Sequence, residues 1–253
     1  MQLRATGLTK RFGGVTAVQG VDIALEAGAV HSIIGPNGAG KTTLLNMLTG
    51  VYAPDSGSIF FDAADLTGRA PHEFAAAGIG RTFQNLQIFF NMSALENVMT
   101  GRWLHERCSL AAALLRLPAL ARAERKCRAD ALELLDLVGL ARWADSSAEA
   151  MPYGALKRLE IARALAAGPA LLLLDEPAAG LNPTETQEIE RLIHALAGRG
   201  ITIALVEHDM KLVMGVSKHV VVLDHGEKLA EGDPRLVGRD PRVIEAYLGV
   251  EAC

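Results

Sequence analysis

The spacing of apolar positions changes character twice along this chain. Through roughly its first sixty residues they alternate or gather in short runs, as strands do. Val21–Leu25 alternates, and Ser58–Phe61 is a short apolar run after the turn Pro54-Asp55-Ser56-Gly57. His31–Ile34 is an apolar strand running straight into a glycine-rich segment, and Thr42–Leu48 then reads as a helix. Gly78–Thr82 is again strand-like. Between about residues 90 and 165 the spacing turns helical, most clearly in ARAERKCRADALELLDLVGL, where Gly139 suits a helix stop. The last third returns to mixed spacing. The apolar run Ala170–Leu174, a helix over Thr184–Ala197 and a strand over Ile201–Val206 follow one another. Val220–Leu223 and Lys228–Ala230 flank Asp224-His225-Gly226, a hairpin turn. No internal repeat is visible. This order predicts an α/β fold: a parallel-sheet nucleotide-binding core with a helical lobe inserted into it. The expected division of the single domain 1–253 is a core of 1–88 and 166–253 and a lobe of 89–165.

Composition narrows the function without naming it. The 253 residues are 50% hydrophobic and 21% charged, which is the range of folded globular chains. A net charge of −4 argues against a nucleic-acid partner held through its phosphates. The longest apolar stretch, Ala164–Leu174, is far short of the roughly 18 residues of a membrane span. The leading MQLRATGLTKRFGG lacks the apolar core of a signal peptide, so a cytoplasmic chain is expected. Cys108, Cys127 and Cys253 show no paired spacing and read as ordinary thiols.

Gly35-Pro36-Asn37-Gly38-Ala39-Gly40-Lys41-Thr42 fits the pattern GxxxxGK[ST] in full. Glycines let such a loop curl so that its N–H groups converge on phosphate oxygens, and the helix that follows adds its positive end. Lys41 is expected on the β- and γ-phosphates and the Thr42 hydroxyl on Mg²⁺. By chance the pattern arises in about one chain of this length per hundred. The strand before it and the helix after it set it apart from a stray glycine-rich loop. Further on, Leu171–Leu174 ends in Asp175 and Glu176. A continuous apolar run reads as a buried parallel strand, and ligands of open α/β sheets lie at such strand ends. Asp175 is therefore expected to hold Mg²⁺, and Glu176 to orient and deprotonate an attacking water. The competing reading, a solvated acidic turn, is weakened by Pro177, which stops the strand.

Several phosphate-loop families share these parts. A GTPase would carry a guanine-reading NKxD segment, and none is present. Phe83-Gln84-Asn85, the segment Lys157–Leu165 containing EIARAL, Ala179-Gly180-Leu181-Asn182-Pro183 and Glu207-His208-Asp209 point elsewhere. At these residues the chain resembles the nucleotide-binding domains of ABC transporters over essentially its whole length, with every segment in family order. The resemblance implies a parallel-sheet P-loop ATPase core with an antiparallel β subdomain and an inserted helical lobe. It implies ATP and Mg²⁺ as ligands. It makes Gly35–Thr42 with Thr43 the phosphate loop, Gln84 the loop glutamine near the metal, Asp175 the Mg²⁺ aspartate, Glu176 the catalytic glutamate and His208 the switch histidine. Phe12 matches the aromatic that stacks on adenine, although an early aromatic also serves as core. GRTFQNL, NMSALENV, EPAAGLNPTE and the tail VIEAYLG are similar to the ATPases of branched-chain amino acid importers, a look shared by importers of urea and of aromatic acids.

The signature segment departs from that pattern. The family reads Leu-Ser-Gly-Gly-Gln, and this subgroup Leu-Ser-Tyr-Gly-Gln. Here Met151-Pro152-Tyr153-Gly154-Ala155 stands in its place. The family's serine helps to hold ATP bound to the opposing subunit, and Pro152 offers neither hydroxyl nor N–H. Tyr153, Gly154 and the following helix start remain for phosphate. Pro152 also suits a plain helix start. Asn182 replaces the family's aspartate but agrees with the subgroup. The expected partners are a second ABC ATPase subunit, the same or different, membrane permease subunits and, indirectly, a periplasmic solute-binding protein, with the chain peripheral on the inner face of the cell membrane. The alternatives are an ABC-type DNA-repair ATPase, for which the long heptad insertion is missing, and a regulatory module that holds ATP without turnover.

Overall fold

The computed structural model describes residues 2–102 and 118–248. In chain order the strands and helices are β1 (Leu3–Phe12), β2 (Val15–Leu25), β3 (Val30–Ile34), α1 (Lys41–Met47), β4 (Ser56–Phe61), β5 (Ala64–Asp65), α2 (Pro71–Ala76), β6 (Ile79–Arg81), α3 (Ala94–Gly101), α4 (Pro118–Leu137), α5 (Tyr153–Leu165), β7 (Leu171–Asp175), α6 (Pro183–Gly198), β8 (Thr202–Val206), α7 (Met210–Val216), β9 (His219–Asp224), β10 (Glu227–Gly232), α8 (Pro234–Val237) and α9 (Pro241–Leu248). The chain divides into two compact units. One runs to Arg81 and resumes at Ala170, and the other is Thr82–Pro169. Cys127 is buried, while Cys108 and Cys253 lie outside the described residues. No described helix is long and apolar enough to cross a membrane.

The first unit holds two sheets. A six-stranded sheet has the order β10-β9-β3-β8-β7-β6, and a four-stranded sheet the order β2-β1-β4-β5. In the larger sheet β3, β6, β7, β8 and β9 run parallel and β10 is antiparallel at one edge. The smaller sheet is antiparallel throughout. Both the parallel core and the antiparallel part expected from the sequence are therefore present. Parallel strands buried on both faces read as continuous apolar runs, and β3, β7 and β8 are buried at every position. Their alternate residues feed different cores. Ile33, Leu171, Leu173, Ala204, Val206, Val221 and Leu223 join Leu44, Leu45 and the inward residues of the smaller sheet. Ile34, Val220 and Val222 join Val213, Val237 and Val243 on the other face. Each such leucine or valine contributes about 1.5–3 kcal/mol by leaving water.

Parallel register aligns the strand ends. Asp175 lies opposite Val206, and Val206 lies opposite Ile33. Arg81 lies opposite Leu173. The residues following β3, β7 and β8 thus emerge at one end of the sheet. The β9–β10 connection is a two-residue turn, with Asp224 paired to Glu227 and positive φ at both His225 (44°) and Gly226 (83°). That is the backbone of a type I′ hairpin.

In the second unit Gly101 lets α3 and α5 cross closely. A Cβ there would meet the Arg163 carbonyl oxygen at 2.1 Å. Asn97 is fully buried and satisfied: its amide donates to the carbonyls of Phe89 and Ser93, and its oxygen accepts the Phe89 N–H. Helix α4 stops as expected, with Gly139 at φ 70° two residues beyond Leu137.

Candidate nucleotide and metal site

The loop between β3 and α1 is shaped by its glycines. Gly40 stands before α1 at φ 95°, and a Cβ there would lie 2.4 Å from the Ala17 carbonyl oxygen. A Cβ on Gly35 would lie 2.1 Å from the carbonyl oxygen of Leu223. Only glycine fits either position. The hairpin turn braces the loop from behind, since Gly226 N–H donates to the Ala39 carbonyl at 3.2 Å. Helix α1 has neither a capping side chain nor an acidic residue in its first turn. Its leading N–H groups therefore keep their positive end for an anion.

Lys41 is 9% exposed and folds back over this loop, donating to the carbonyl oxygens of Gly35 at 2.6 Å and Pro36 at 2.9 Å. Burial pushes its ammonium below the usual lysine range, and the charges of Glu176 and then Asp175 oppose that shift. Lysine and both acids thus share one electrostatic neighbourhood. Asp175 is 3% exposed at the end of β7. Glu176, the next residue, has φ 49°. Strained backbone of this kind persists where surrounding structure fixes it, commonly at functional sites. Its N–H donates to the Val206 carbonyl at 2.9 Å, tying the end of β7 to the end of β8.

Two further residues stand inside motifs quoted from the sequence but gain a role only in the structure. Glu207 is 1% exposed, and its carboxylate accepts the N–H groups of Ala178 at 2.8 Å, His208 at 3.1 Å and Asp209 at 3.4 Å. It fastens the turn after β7 to the turn that carries His208, whose own side chain is 63% exposed. Arg81 donates to Asp175 Oδ2 at 3.0 Å. A buried acid or arginine becomes informative only once its partners are known.

The other expected residues fall as follows. Phe12 closes β1, is 43% exposed and meets Tyr52 edge-on at 5.2 Å, so it is a surface aromatic and not core. Gln84, Tyr153 and Gly154 belong to the second unit. There Lys157 donates to the Gln84 carbonyl at 3.3 Å, and Glu160 accepts the N–H groups of Phe83 at 3.2 Å and Gln87 at 3.3 Å. Pro152 occupies the N-cap of α5 with φ −60° and no capping side chain. Tyr153 is exposed, whereas Gly154 and Ala155 are buried.

For a metal, the first unit offers the Thr42 hydroxyl at the start of α1 and the Asp175 carboxylate. No cluster of three or more histidine, cysteine or acidic side chains suited to a metal exists among the described residues. Such a sparse oxygen set suits Mg²⁺, which keeps several waters and binds through one or two protein oxygens plus substrate phosphates.

Comparison with known proteins agrees with this geometry. Residues 18–179 match the family model described as ABC transporter, and residues 227–253 match one described as branched-chain amino acid ATP-binding cassette transporter. The chain is 46% identical over 248 residues to the high-affinity branched-chain amino acid transport ATP-binding protein BraF of Pseudomonas aeruginosa, covering 98% of this chain and 97% of that protein. Among solved structures it is similar to the ADP conformation of an ATP-binding cassette of an ABC transporter, with a TM-score of 0.85 and 33% identity over 98% of each chain. It is also similar to a dimeric ATP-binding cassette in a post-hydrolysis state with ADP and Pi, with a TM-score of 0.78 and 26% identity over 92% of this chain and 99% of that one.

Proposed function

Since the chain belongs to the ABC transporter family and is an ATP-hydrolysing, ATP-binding component that powers an importer, we propose that its cargo is branched-chain amino acids or a closely related small solute. The support is the near full-length similarity to BraF together with the match of residues 227–253 to the branched-chain cassette model.

The reaction converts ATP and water to ADP and phosphate. The observation that carries the residue roles is the shared neighbourhood of Lys41, Glu176 and Asp175. The amides of Gly35–Thr43 and the start of α1 bind the phosphates, and Lys41 leaves its loop carbonyls to offset charge on the β- and γ-phosphates. Thr42 and Asp175 would hold Mg²⁺, which would neutralise charge on the phosphate oxygens. Glu176 takes the proton of the attacking water. His208 contacts the γ-phosphate, and Phe12 lies against adenine. Gln84 would contact the metal, and the segment 86–97 meets a membrane subunit. Tyr153, Gly154 and the start of α5 face ATP held by a second ATPase subunit. That contact exists only when two subunits close, so ATP favours the closed pair. The assembly sits on the inner face of the membrane and receives solute from a periplasmic binding protein.

Two measurements test this. In proteoliposomes with its membrane subunits, the chain should drive ATP-dependent uptake of leucine, isoleucine or valine. ATP hydrolysis with uptake of none of them would discard the cargo. Cysteines placed along 86–97 should cross-link to a cytoplasmic loop of the membrane subunit. Cross-links confined to the neighbourhood of Glu227 and Arg235 would overturn the docking face.

A further inference from the structure

Arg81 is a buried cation that the phosphate-transfer scheme leaves unused. Its Nη2 donates to Asp175 Oδ2 at 3.0 Å, and the two side chains are 7% and 3% exposed. Its Nη1 donates to Asn46 Oδ1 at 2.6 Å and Thr49 Oγ1 at 3.0 Å. Thr49 in turn donates to the Leu45 carbonyl at 2.8 Å, so its hydroxyl oxygen faces Arg81 as an acceptor. Asn46 lies on α1 four residues after Thr42, hence on the same face one turn below it. Arg81 therefore joins both elements that carry the expected Mg²⁺ donors: the helix of Thr42 and the strand of Asp175.

A guanidinium is always charged, and its planar fork matches several acceptors at once. Burying a carboxylate as deeply as Asp175 is costly unless it is paired and hydrogen-bonded. We propose that Arg81 is the resident counter-ion of the metal-binding aspartate, fixing Asp175 against α1 and sharing that carboxylate with Mg²⁺. This rests on the reading of Asp175 as a metal ligand. Arg81 is a positioning residue, since it acts through Asp175 and α1. The shared carboxylate donates less strongly to the metal than an unshared one. Arg81 thereby loosens the dependence of the protein's stability on metal.

The test compares unfolding midpoints of the full chain with ADP in EDTA against ADP with Mg²⁺. Arg81→Met should lower the EDTA midpoint, because it removes the guanidinium bonded to Asp175 Oδ2. Mg²⁺ should then restore more than it gives wild type, a midpoint shift at least about twice as large by linkage. Electron spin resonance of Mn²⁺ on the ADP-loaded variant should show half-saturation at a severalfold lower metal concentration. Arg81→Lys keeps the charge and should return the Mg²⁺ shift to wild-type size. If Arg81→Met does not fold, Arg81→Gln serves, being neutral while still able to bond Asn46 and Thr49. A Mg²⁺ shift in the neutral variants no larger than wild type's would make Arg81 a packing residue and overturn the proposal. Asp175→Asn separates the two readings. If it keeps the full Mg²⁺ shift, Asp175 is not the metal ligand. If it abolishes the shift while Arg81→Met leaves it unchanged, only the counter-ion proposal fails.

Discussion

The starts of α1 and α5 make an instructive pair. Helices α3, α6 and α7 begin with Ser93, Asn182 and Asp209, whose side-chain oxygens accept N–H groups of the first turn. Neither α1 nor α5 has such a cap. An uncapped first turn keeps its N–H groups for another acceptor. At α1 the glycines leave no room for side chains and a lysine lies in the loop, as phosphate requires, while two acids within electrostatic reach of that lysine suit a metal and a water. At α5 only the backbone remains. Pro152 fixes the entry to the helix, Gly154 is buried, and the first turn holds no acid. On the proposed function, one helix start belongs to the chain's own nucleotide site and the other to a site that a second subunit would complete. In a pair of unlike subunits, Pro152 and Ala155 would weaken the site built on the partner's phosphate loop and spare the one built on Lys41.

The largest effect that would break this contrast lies at Glu176. Glu176→Gln should leave ATP binding intact and lower turnover by at least about a hundredfold, the scale of losing a general base. Near-normal hydrolysis in the assembled complex would remove the acid from its role. Lys41→Ala should act on binding instead, weakening nucleotide affinity on the order of tenfold, as expected for a lost charge-assisted bond. An unchanged Kd by titration calorimetry would count against the nucleotide site at α1.

At α5 the change should run upward. The double variant Pro152→Ser, Ala155→Gln should raise ATP turnover of the isolated chain, and Pro152→Ser alone should give part of the gain. A restored hydroxyl contact is worth roughly 1–3 kcal/mol, so about tenfold is expected. Ala155 is 4% exposed, so the glutamine must find room and the single variant is the cleaner measurement. Robust hydrolysis by wild-type chain alone, with no gain in either variant, would leave Pro152 as a plain helix start.

The smallest effect concerns Glu160, on the same helix. Burial raises its carboxyl above the usual range, against the opposing N–H groups of Phe83 and Gln87 and the charges of Lys157 and Arg163. The folded state then keeps this proton longer than the unfolded state. Stability should fall as pH rises from the ordinary carboxylate range through the raised value. Glu160→Gln keeps an acceptor oxygen and removes the charge, so it should lift stability modestly near neutrality. The advantage should fade on acidification, and denaturant midpoints across pH would reveal its absence.

The sequence exposes what is local. The β3–loop–α1 unit, the β7 run ending in Asp175 and the β9–β10 hairpin are legible because each is a contiguous pattern with its own punctuation. β1 is not marked as a separate strand. Its pairing with β2 and β4 shifts register between Ala5 and Thr9, and Gly7 sits there at φ 62°, so strict alternation is lost. Phe12 could not be told from core by its type alone. Arg81 and Glu207 fall inside quoted motifs, but their roles cannot be read there for a different reason. Their partners lie on other strands and turns, 94 residues away for Arg81 to Asp175 and 29 for Glu207 to Ala178.

The place of β3 in its sheet has a consequence for synthesis. Both of its neighbours, β8 and β9, are made last among the parallel strands; Val30 pairs with Ile203 and His31 with His219. On the ribosome the phosphate loop emerges early, with no strand on either side to hold it. At about 5–20 residues per second it waits on the order of ten seconds or more for them. During that interval β3 is an apolar segment with two open edges, which invites wrong pairing. Nascent chains stalled before Thr202 should therefore bind nucleotide poorly, and competence should arrive abruptly once β9 clears the exit tunnel.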